Sequence, residues 1–318
     1  MIYSEIIAYG HYLPKKILNN KGLQKIVDTS DEWIFSRTGI KQRHLAGNKE
    51  LTSDLAIKAA RDAFDSFKID PKEIECIIIA TTTPDNTFPS TATKVQDFFQ
   101  IRNIPSFDIQ AVCSGFIYGI QIADSFIKSG KYKKILLIGA ETLSKIIDWE
   151  DRRTCVLFGD GAGALIFSSS KKNKGVLSST IFSDGKWKDS LYADGGPSLN
   201  QRVGKIRMNG QDIFKQAVKK LSEATLDALS QCNLSIKDID WFIPHQANQR
   251  IIVSTAKKLG ISENKTISSV RLHANTSAAS IPLAMSCAHK SGKIKKNDIL
   301  ALCAIGGGLT WGSCILKV

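Results

Sequence analysis

The strongest constraint on this chain is that its second half repeats its first. A helical pattern over Asp54–Phe67 leads through a short polar turn into IDPKEIECIIIATTTP (69–84), and a helical pattern over Ile213–Leu229 leads the same way into LSIKDIDWFIPHQAN (234–248). Farther on, SGKYKKILLIGAET (129–142) has its counterpart in SGKIKKNDILALCAIGGG (291–308), so that Ser291 lies 162 residues beyond Ser129. In both copies a helix is predicted to end at Ser-Gly-Lys, with glycine at the C-terminal cap and lysines facing the last carbonyls and the negative end of the helix dipole. Sixteen steps upstream of these two serines stand Cys113 and Asn275, positional counterparts at the N-termini of two equivalent helices.

Alternating strands and helices in each copy predict an α/β architecture whose strands are apolar enough to need cover on both faces. The seam falls near Ser168–Lys174, where SSSKKNK follows the strand GALIF. It separates an N-terminal half (1–171) carrying Cys113 from a C-terminal half (172–318) carrying His245, Asn275 and a glycine triplet. Halves related in this way bury faces against each other and form their site at the junction, so they are read as one obligate unit. At 318 residues the chain is long enough for such a core.

The seven cysteines are odd in number, scattered, and mostly inside apolar runs, with no CxxC pair. That pattern argues against a zinc site, predicts no metal, and fits reduced core cysteines in a cytoplasmic protein. MIYSEIIAYG lacks the basic start, apolar core and small-residue cleavage site of a secretory signal. Two uncharged stretches, Leu272–His289 and Ile299–Leu316, approach spanning length but carry asparagine, serines, histidines and glycines. They are read as buried interior segments, with no membrane anchor. The net charge of +13 comes from dispersed lysines and arginines, and no nucleic-acid module is legible. The excess points to a phosphate-bearing small molecule or an acidic carrier protein.

Cys113 lies in FDIQAVCSGF, where an apolar strand turns through small residues into a helix. Taken alone it is either a nucleophile or an inert core thiol. Its placement opposite Asn275 favours the first, and the helix N-terminus predicts a lowered thiol pKa. His245, in DWFIPHQAN, sits just past a strand end, where an imidazole can reach a cleft as donor or base. Asn275, in LHANTSAAS, can cap a helix, donate to a developing oxyanion, or do both. GGGLTWGS (306–313) follows a buried strand and could expose backbone N–H groups as an oxyanion hole or simply turn the chain. FGDGAGALIF (158–167) is not a dinucleotide loop, since its spacing is not GxGxxG and a strand, not a helix, is predicted after it; close backbone packing is predicted instead.

Together these segments resemble the β-ketoacyl-acyl carrier protein synthase III family, thiolase-fold condensing enzymes that initiate bacterial type II fatty acid synthesis. The resemblance covers essentially the whole chain. It rests on VDTSDEWI, SRTGI and QRH (27–44), AVCSGF (111–116), DRRT and LFGDGAGA (151–164), PHQAN and RI (244–251), HANTSAAS (273–280), and GGG with TWGS (306–313). It implies duplicated βαβαβαββ halves packed as a five-layered αβαβα sandwich.

The resemblance also implies the chemistry. Cys113 would take an acyl group from a short acyl-CoA, the acetyl ester being expected, with the N–H groups of Cys113 and Gly307 holding the oxyanion. His245 and Asn275 would stabilise the enolate formed as malonyl-acyl carrier protein loses carbon dioxide, and the carbanion would attack the acyl-cysteine without any cofactor. By the same likeness Trp33, Arg37 and Arg152 would grip the CoA nucleotide, with Thr29, Gly210 and Asn248 along the pantetheine arm. Lys215, Arg250, Lys257 and Lys258 would meet the acidic carrier. Phe88 would reach across a homodimer interface to close the partner's acyl pocket. Ile305 stands where relatives often have an aromatic residue bounding that pocket, which predicts a roomier acyl site.

Three other readings fit less well. A degradative thiolase would need a second cysteine at the position of Ala304, and Cys303 would face the other side of its strand. A hydroxymethylglutaryl-CoA synthase would need a glutamate base within these motifs. A non-catalytic binding protein of the same fold would have no use for all three catalytic residues. The nearer alternative is a secondary-metabolism relative with another starter or acceptor.

Overall fold

The repeat resolves into two sheets, one from each half. The structure is a computed structural model and describes residues 2–318. The first sheet contains β1 (Tyr3–Tyr12), β2 (Cys76–Ala80), β3 (Ser106–Ile109), β4 (Lys134–Glu141) and β5 (Gly161–Ser170), in the order β1-β5-β4-β2-β3. The second contains β6 (Gly175–Ser183), β7 (Trp241–Pro244), β8 (Ile299–Gly306) and β9 (Thr310–Lys317), in the order β7-β8-β9-β6. The run β2-β4-β5-β1 is matched strand for strand by β7-β8-β9-β6. In each, the first pair is parallel and the next two are antiparallel.

The match fails at one edge. β3 has no full partner in the second sheet, where a single bridge joins Phe242 to Thr266. The ladder stops because the residues that follow bond elsewhere. Ser268 Oγ donates to Gln249 and the Ser269 amide to the Gln246 side chain, both at 2.7 Å.

Helices complete five layers. α1 (Asp31–Thr38) lies on the periphery, while α2 (Thr52–Phe67) and α3 (Thr91–Phe98) cover the outer face of the first sheet. α2 does so with Leu55, Ala56, Ala59, Ala60, Ala63 and Phe64, the i, i+3, i+4 spacing of one helical face. α5 (Gly210–Gln231) and α6 (Gln249–Leu259) cover the outer face of the second. Between the sheets lie α4 (Gly115–Lys128) and α7 (Ser280–Lys290). The central core joins Ile78, Leu137 and Leu165 of the first sheet to Ile243, Leu302 and Cys314 of the second through Ile120 and Ile281.

The middle helices cross between halves. α7 belongs to the second half but lies on the first sheet, close enough that a Cβ at Gly163 would come within 2.4 Å of the Leu283 amide. A Cβ at Gly139 would come within 2.3 Å of the Ala278 carbonyl, just before that helix. Gly163 thus has the close-packing role read from GDGAGA, inside a strand. The Ser-Gly-Lys signals end their helices as expected, with Gly130 and Gly292 left-handed at φ +74° and +72°. None of the described helices is long and apolar enough to cross a membrane.

Candidate active site

The two middle helices begin at one place. Ahead of α4, residues Val112–Ser114 form a tight 3-10 turn holding Cys113; ahead of α7, Ser277–Ala279 form another just after Asn275. The residue before each, Val112 and Ala274, has a left-handed φ of +48° and +59°. A β-branched residue there is strained, and the strain sits beside the thiol. The correspondence of Cys113 with Asn275 therefore extends to the backbone shape that presents each side chain.

Cys113 stands between two cavities. A chamber of about 120 Å³ is lined by Thr82, Gln110, Val112, Cys113, Leu143, Ile146, Phe158, Leu191, Ile206 and Ser277. A channel of about 130 Å³ is lined by Cys113, Met208, Gly210, Ile213, Phe214, His245, Asn248, Asn275 and Ile305, with Phe158 and Leu191 shared. Cys113, His245 and Asn275 are 4 %, 3 % and 6 % exposed, so the three groups meet in a nearly dry space.

Each polar group is held by specific bonds. The His245 amide donates to Cys303 O at 2.7 Å, and its Nδ1 lies 2.6 Å from Ser280 Oγ. That oxygen also accepts the Gln246 N–H, at 3.3 Å. The Ser280 hydroxyl proton is then free for Nδ1, which assigns the ring proton to Nε2 as a donor. Burial lowers the imidazole pKa to about 3, so His245 is neutral at physiological pH. Asn275 accepts the Ser277 N–H through Oδ1 at 2.8 Å, which leaves its NH₂ group as the donor for the channel.

The glycine triplet abuts the nucleophile turn. A Cβ at Gly306 would lie 2.7 Å from the Cys113 amide nitrogen and 2.8 Å from Ala111 O. Gly307 follows against the Leu191 carbonyl. Thr310 Oγ1 donates to Ala111 O at 3.0 Å and Ser114 Oγ to the same oxygen at 2.7 Å, tying the loop to the turn.

One expectation is reversed. Burial pushes the Cys113 thiol up to about 12 instead of the helix lowering it, although a Ser277 hydroxyl nearby pulls the other way. The desolvation corresponds to about 4 kcal/mol against the thiolate, more than the roughly 1 kcal/mol a helix N-terminus supplies. At rest Cys113 is a thiol in the same channel as a neutral imidazole.

The remaining predicted residues fall in three places. Two guanidinium groups lie over Trp33, Arg37 at 5.0 Å and Arg152 at 4.8 Å from its ring centroid. Asn248 joins them through a 3.2 Å bond from its Nδ2 to Arg37 O, and Thr29 Oγ1 is buried nearby in sequence without a partner. Gly210 begins α5 at the channel wall. Lys215, Arg250, Lys257 and Lys258 are exposed on α5 and α6, with Arg250 over the Phe214 ring at 5.6 Å.

The two residues predicted to bound an acyl pocket, Phe88 and Ile305, both lie outside the chamber. Phe88 is 83 % exposed and lines neither cavity. Ile305 lines the channel with His245, not the chamber. Strand alternation is the reason: Ala304 faces the central core, so Ile305 faces the α5–α6 side. A smaller residue at 305 widens the channel, and the expected roominess of the acyl site does not follow from it.

Sequence reading missed Ser280, Thr82, Ser277 and Glu141. Glu141 is fully buried at the end of β4, hydrogen-bonded by Thr82 N at 3.1 Å and by the Thr82 and Thr83 hydroxyls at 2.9 and 2.8 Å. A carboxylate closing the apolar run KILLIGAE was the available signal.

Known proteins match this arrangement along its full length. Residues 107–185 fit the family described as 3-oxoacyl-[acyl-carrier-protein (ACP)] synthase III, and residues 229–318 fit its C-terminal counterpart. The chain is 54 % identical over 313 residues to the β-ketoacyl-[acyl-carrier-protein] synthase III of Rickettsia bellii, covering 98 % of this chain and 99 % of that one. It is 55 % identical over 316 residues to the protein of the same name from Ehrlichia canis, covering 99 % of each. The crystal structure of 3-oxoacyl-[acyl-carrier-protein] synthase III from Aquifex aeolicus superposes with a TM-score of 0.95 at 46 % identity, covering 99 % of this chain and all of that one. The chain belongs to the β-ketoacyl-[acyl-carrier-protein] synthase III family, the thiolase-fold condensing enzymes that initiate fatty acid synthesis.

Proposed function

We propose that the chain condenses a short acyl-CoA with malonyl-acyl carrier protein to give a 3-oxoacyl carrier-protein thioester, with Cys113 as nucleophile and His245 and Asn275 as donors. The observation that carries this reading is the position of Cys113, between a mainly apolar chamber and a channel holding two neutral donors. An acyl group fits the chamber, and a pantetheine thioester reaches the sulfur through the channel.

The chemistry divides in two. In the first half, the Cys113 sulfur forms a bond to the thioester carbon, the C–S bond to CoA breaks, and the N–H groups of Cys113 and Gly307 hold the oxyanion. In the second, malonyl-carrier protein occupies the channel with its thioester oxygen facing Nε2–H of His245 and the Asn275 amide. Carbon dioxide leaves, and the enolate carbon attacks the acyl-cysteine and frees the sulfur. Neutral donors suit this step, since they stabilise developing charge in a dry site without adding a fixed charge to it.

Binding follows from the surface. The CoA adenine stacks on Trp33 while Arg37 and Arg152 pair with its phosphates, and Thr29, Gly210 and Asn248 meet the pantetheine arm. Lys215, Arg250, Lys257 and Lys258 draw in the acidic carrier. The halves 1–171 and 172–318 act as one unit in the cytoplasm. The unpaired edge of β3 and exposed Phe88 support a homodimer in which each Phe88 closes the other protomer's chamber.

Incubation with acetyl-CoA should add one acetyl group to Cys113, seen by intact mass and lost in Cys113→Ala. Wild-type acetylation of that variant would refute the assignment.

A further inference from the structure

Glu141 has no role in the scheme above, yet its carboxylate is fully buried and forms no ion pair among the described residues. Its oxygens accept hydrogen bonds from Thr82 and Thr83, with Thr81 Oγ1 at 3.4 Å. Thr82 lines the acyl chamber together with Cys113 and Ser277. Ser277 Oγ is close enough to favour ionisation of both the Cys113 thiol and the Glu141 carboxyl. It is nevertheless buried without a well-formed hydrogen bond to either. Ser277 thus carries a buried hydroxyl lacking a partner at the chamber wall it shares with Cys113 and with Thr82, which itself donates to Glu141, and is poised to pass a proton. A purely structural acid here would be costly, because an apolar or amide side chain would fill the space without desolvating a charge.

We propose that Glu141 stores the proton of the Cys113 thiol while the cysteine is acylated, with the Ser277 hydroxyl relaying it. This rests on the reading of Cys113 as nucleophile. In acylation the S–H proton passes to Ser277 Oγ as the Ser277 proton passes to Glu141, the S–C bond forms, and CoA leaves as thiolate to take a proton from water. The acyl group then fills the chamber beside Thr82 and Ser277, which excludes solvent and favours the neutral acid. In condensation the malonyl carboxylate leaves as carbon dioxide and its electron pair forms the new C–C bond. Cys113 departs as thiolate and recovers the stored proton from Glu141. Burial raises the Glu141 pKa to about 7, so the group can both accept and return a proton near neutrality.

The test counts protons. Enzyme in weak buffer is mixed with acetyl-CoA without malonyl-carrier protein, while an indicator dye follows pH and intact mass follows Cys113. Acetylation should consume about 0.8 proton per acetyl group at pH 7.5 and about 0.1 at pH 6, where Glu141 is already protonated. The infrared carbonyl band of a protonated carboxylic acid should appear in the acyl-enzyme and be absent from Glu141→Gln. That variant should take up no proton and acylate on the order of 10²-fold more slowly. Should it fold poorly, Ser277→Ala keeps the carboxylate, cuts the relay and should slow acylation comparably. Full acetylation with no proton uptake at pH 7.5, or unchanged acylation in both variants, overturns the relay. Absence of acetyl on Cys113 would instead sink the nucleophile assignment.

Discussion

Gly306→Ala probes how tightly the glycine triplet is set against Cys113, the proposed nucleophile. The added Cβ would stand 2.7 Å from the Cys113 amide nitrogen, 2.8 Å from Ala111 O and 3.0 Å from Val112 Cβ, where ordinary contact begins near 3.4 Å. Two of the three obstacles are backbone, and the turn that holds them is already strained at Val112. Relief therefore requires the loop and the turn to separate by about 0.7 Å, close to the 1 Å displacement that costs about 10²-fold in a positioned reaction. We expect acetylation of Cys113 by acetyl-CoA to slow by roughly 10- to 100-fold, and stability to fall by about 1–3 kcal/mol from overpacking. Single-turnover mixing read by intact mass measures the first and urea unfolding the second. Gly185→Ala is the control, because a Cβ there meets nothing within 4 Å. CoA affinity, measured by calorimetry, should change little in either variant. A Gly306→Ala enzyme that acylates at the wild-type rate would refute the claim that this glycine is there to let the loop approach Cys113.

Other outcomes follow from the same geometry. His245→Ala should still become acetylated on Cys113 but lose condensation by about 10²-fold or more, as a missing oxyanion donor does; the two half-reactions separate these effects. Because burial holds the His245 pKa near 3, its charge state is constant from pH 5.5 to 8.5, and a condensation step showing a titration that vanishes in His245→Gln would contradict this. Arg152→Ala should raise KM for acetyl-CoA by about tenfold through loss of a phosphate contact while leaving turnover of a truncated pantetheine thioester unchanged. In an acyl-CoA panel, a chamber of about 120 Å³ should admit acetyl, butyryl and isobutyryl groups and exclude dodecanoyl, so efficient transfer of the last would count against it.

The architecture was readable because repetition and apolar strands leave few alternatives. Ser-Gly-Lys at both helix ends and the equal spacing back to Cys113 and Asn275 located two turns that share even their left-handed residue. The partial loss came where a short segment does two jobs. Thr266–Ser269 begins the counterpart of β3 but spends the Ser268 hydroxyl on Gln249 and the Ser269 amide on Gln246. The thiol pKa was misjudged because the motif reports the helix dipole but not the depth of burial, which depends on side chains from both halves. Ile305 was misplaced for a related reason, since its distance from the glycine triplet is visible in the sequence while the side it faces is set by the sheet. Ser280 and Ser277 carry no chemical signature of their own; packing within the second half sets Ser280 against His245, and the crossing of α7 onto the first sheet brings Ser277 to Cys113.

That crossing limits how the chain can be divided. Fragments separated in the turn between Ser170 and Gly175 would leave the first sheet with an open trough at Gly139 and Gly163, and would leave α7 with a bare apolar side. Neither piece could be trimmed into an independent carrier of half the reaction. Co-expression would be required, and activity would return only through reassembly, with the second fragment seated in the trough of the first.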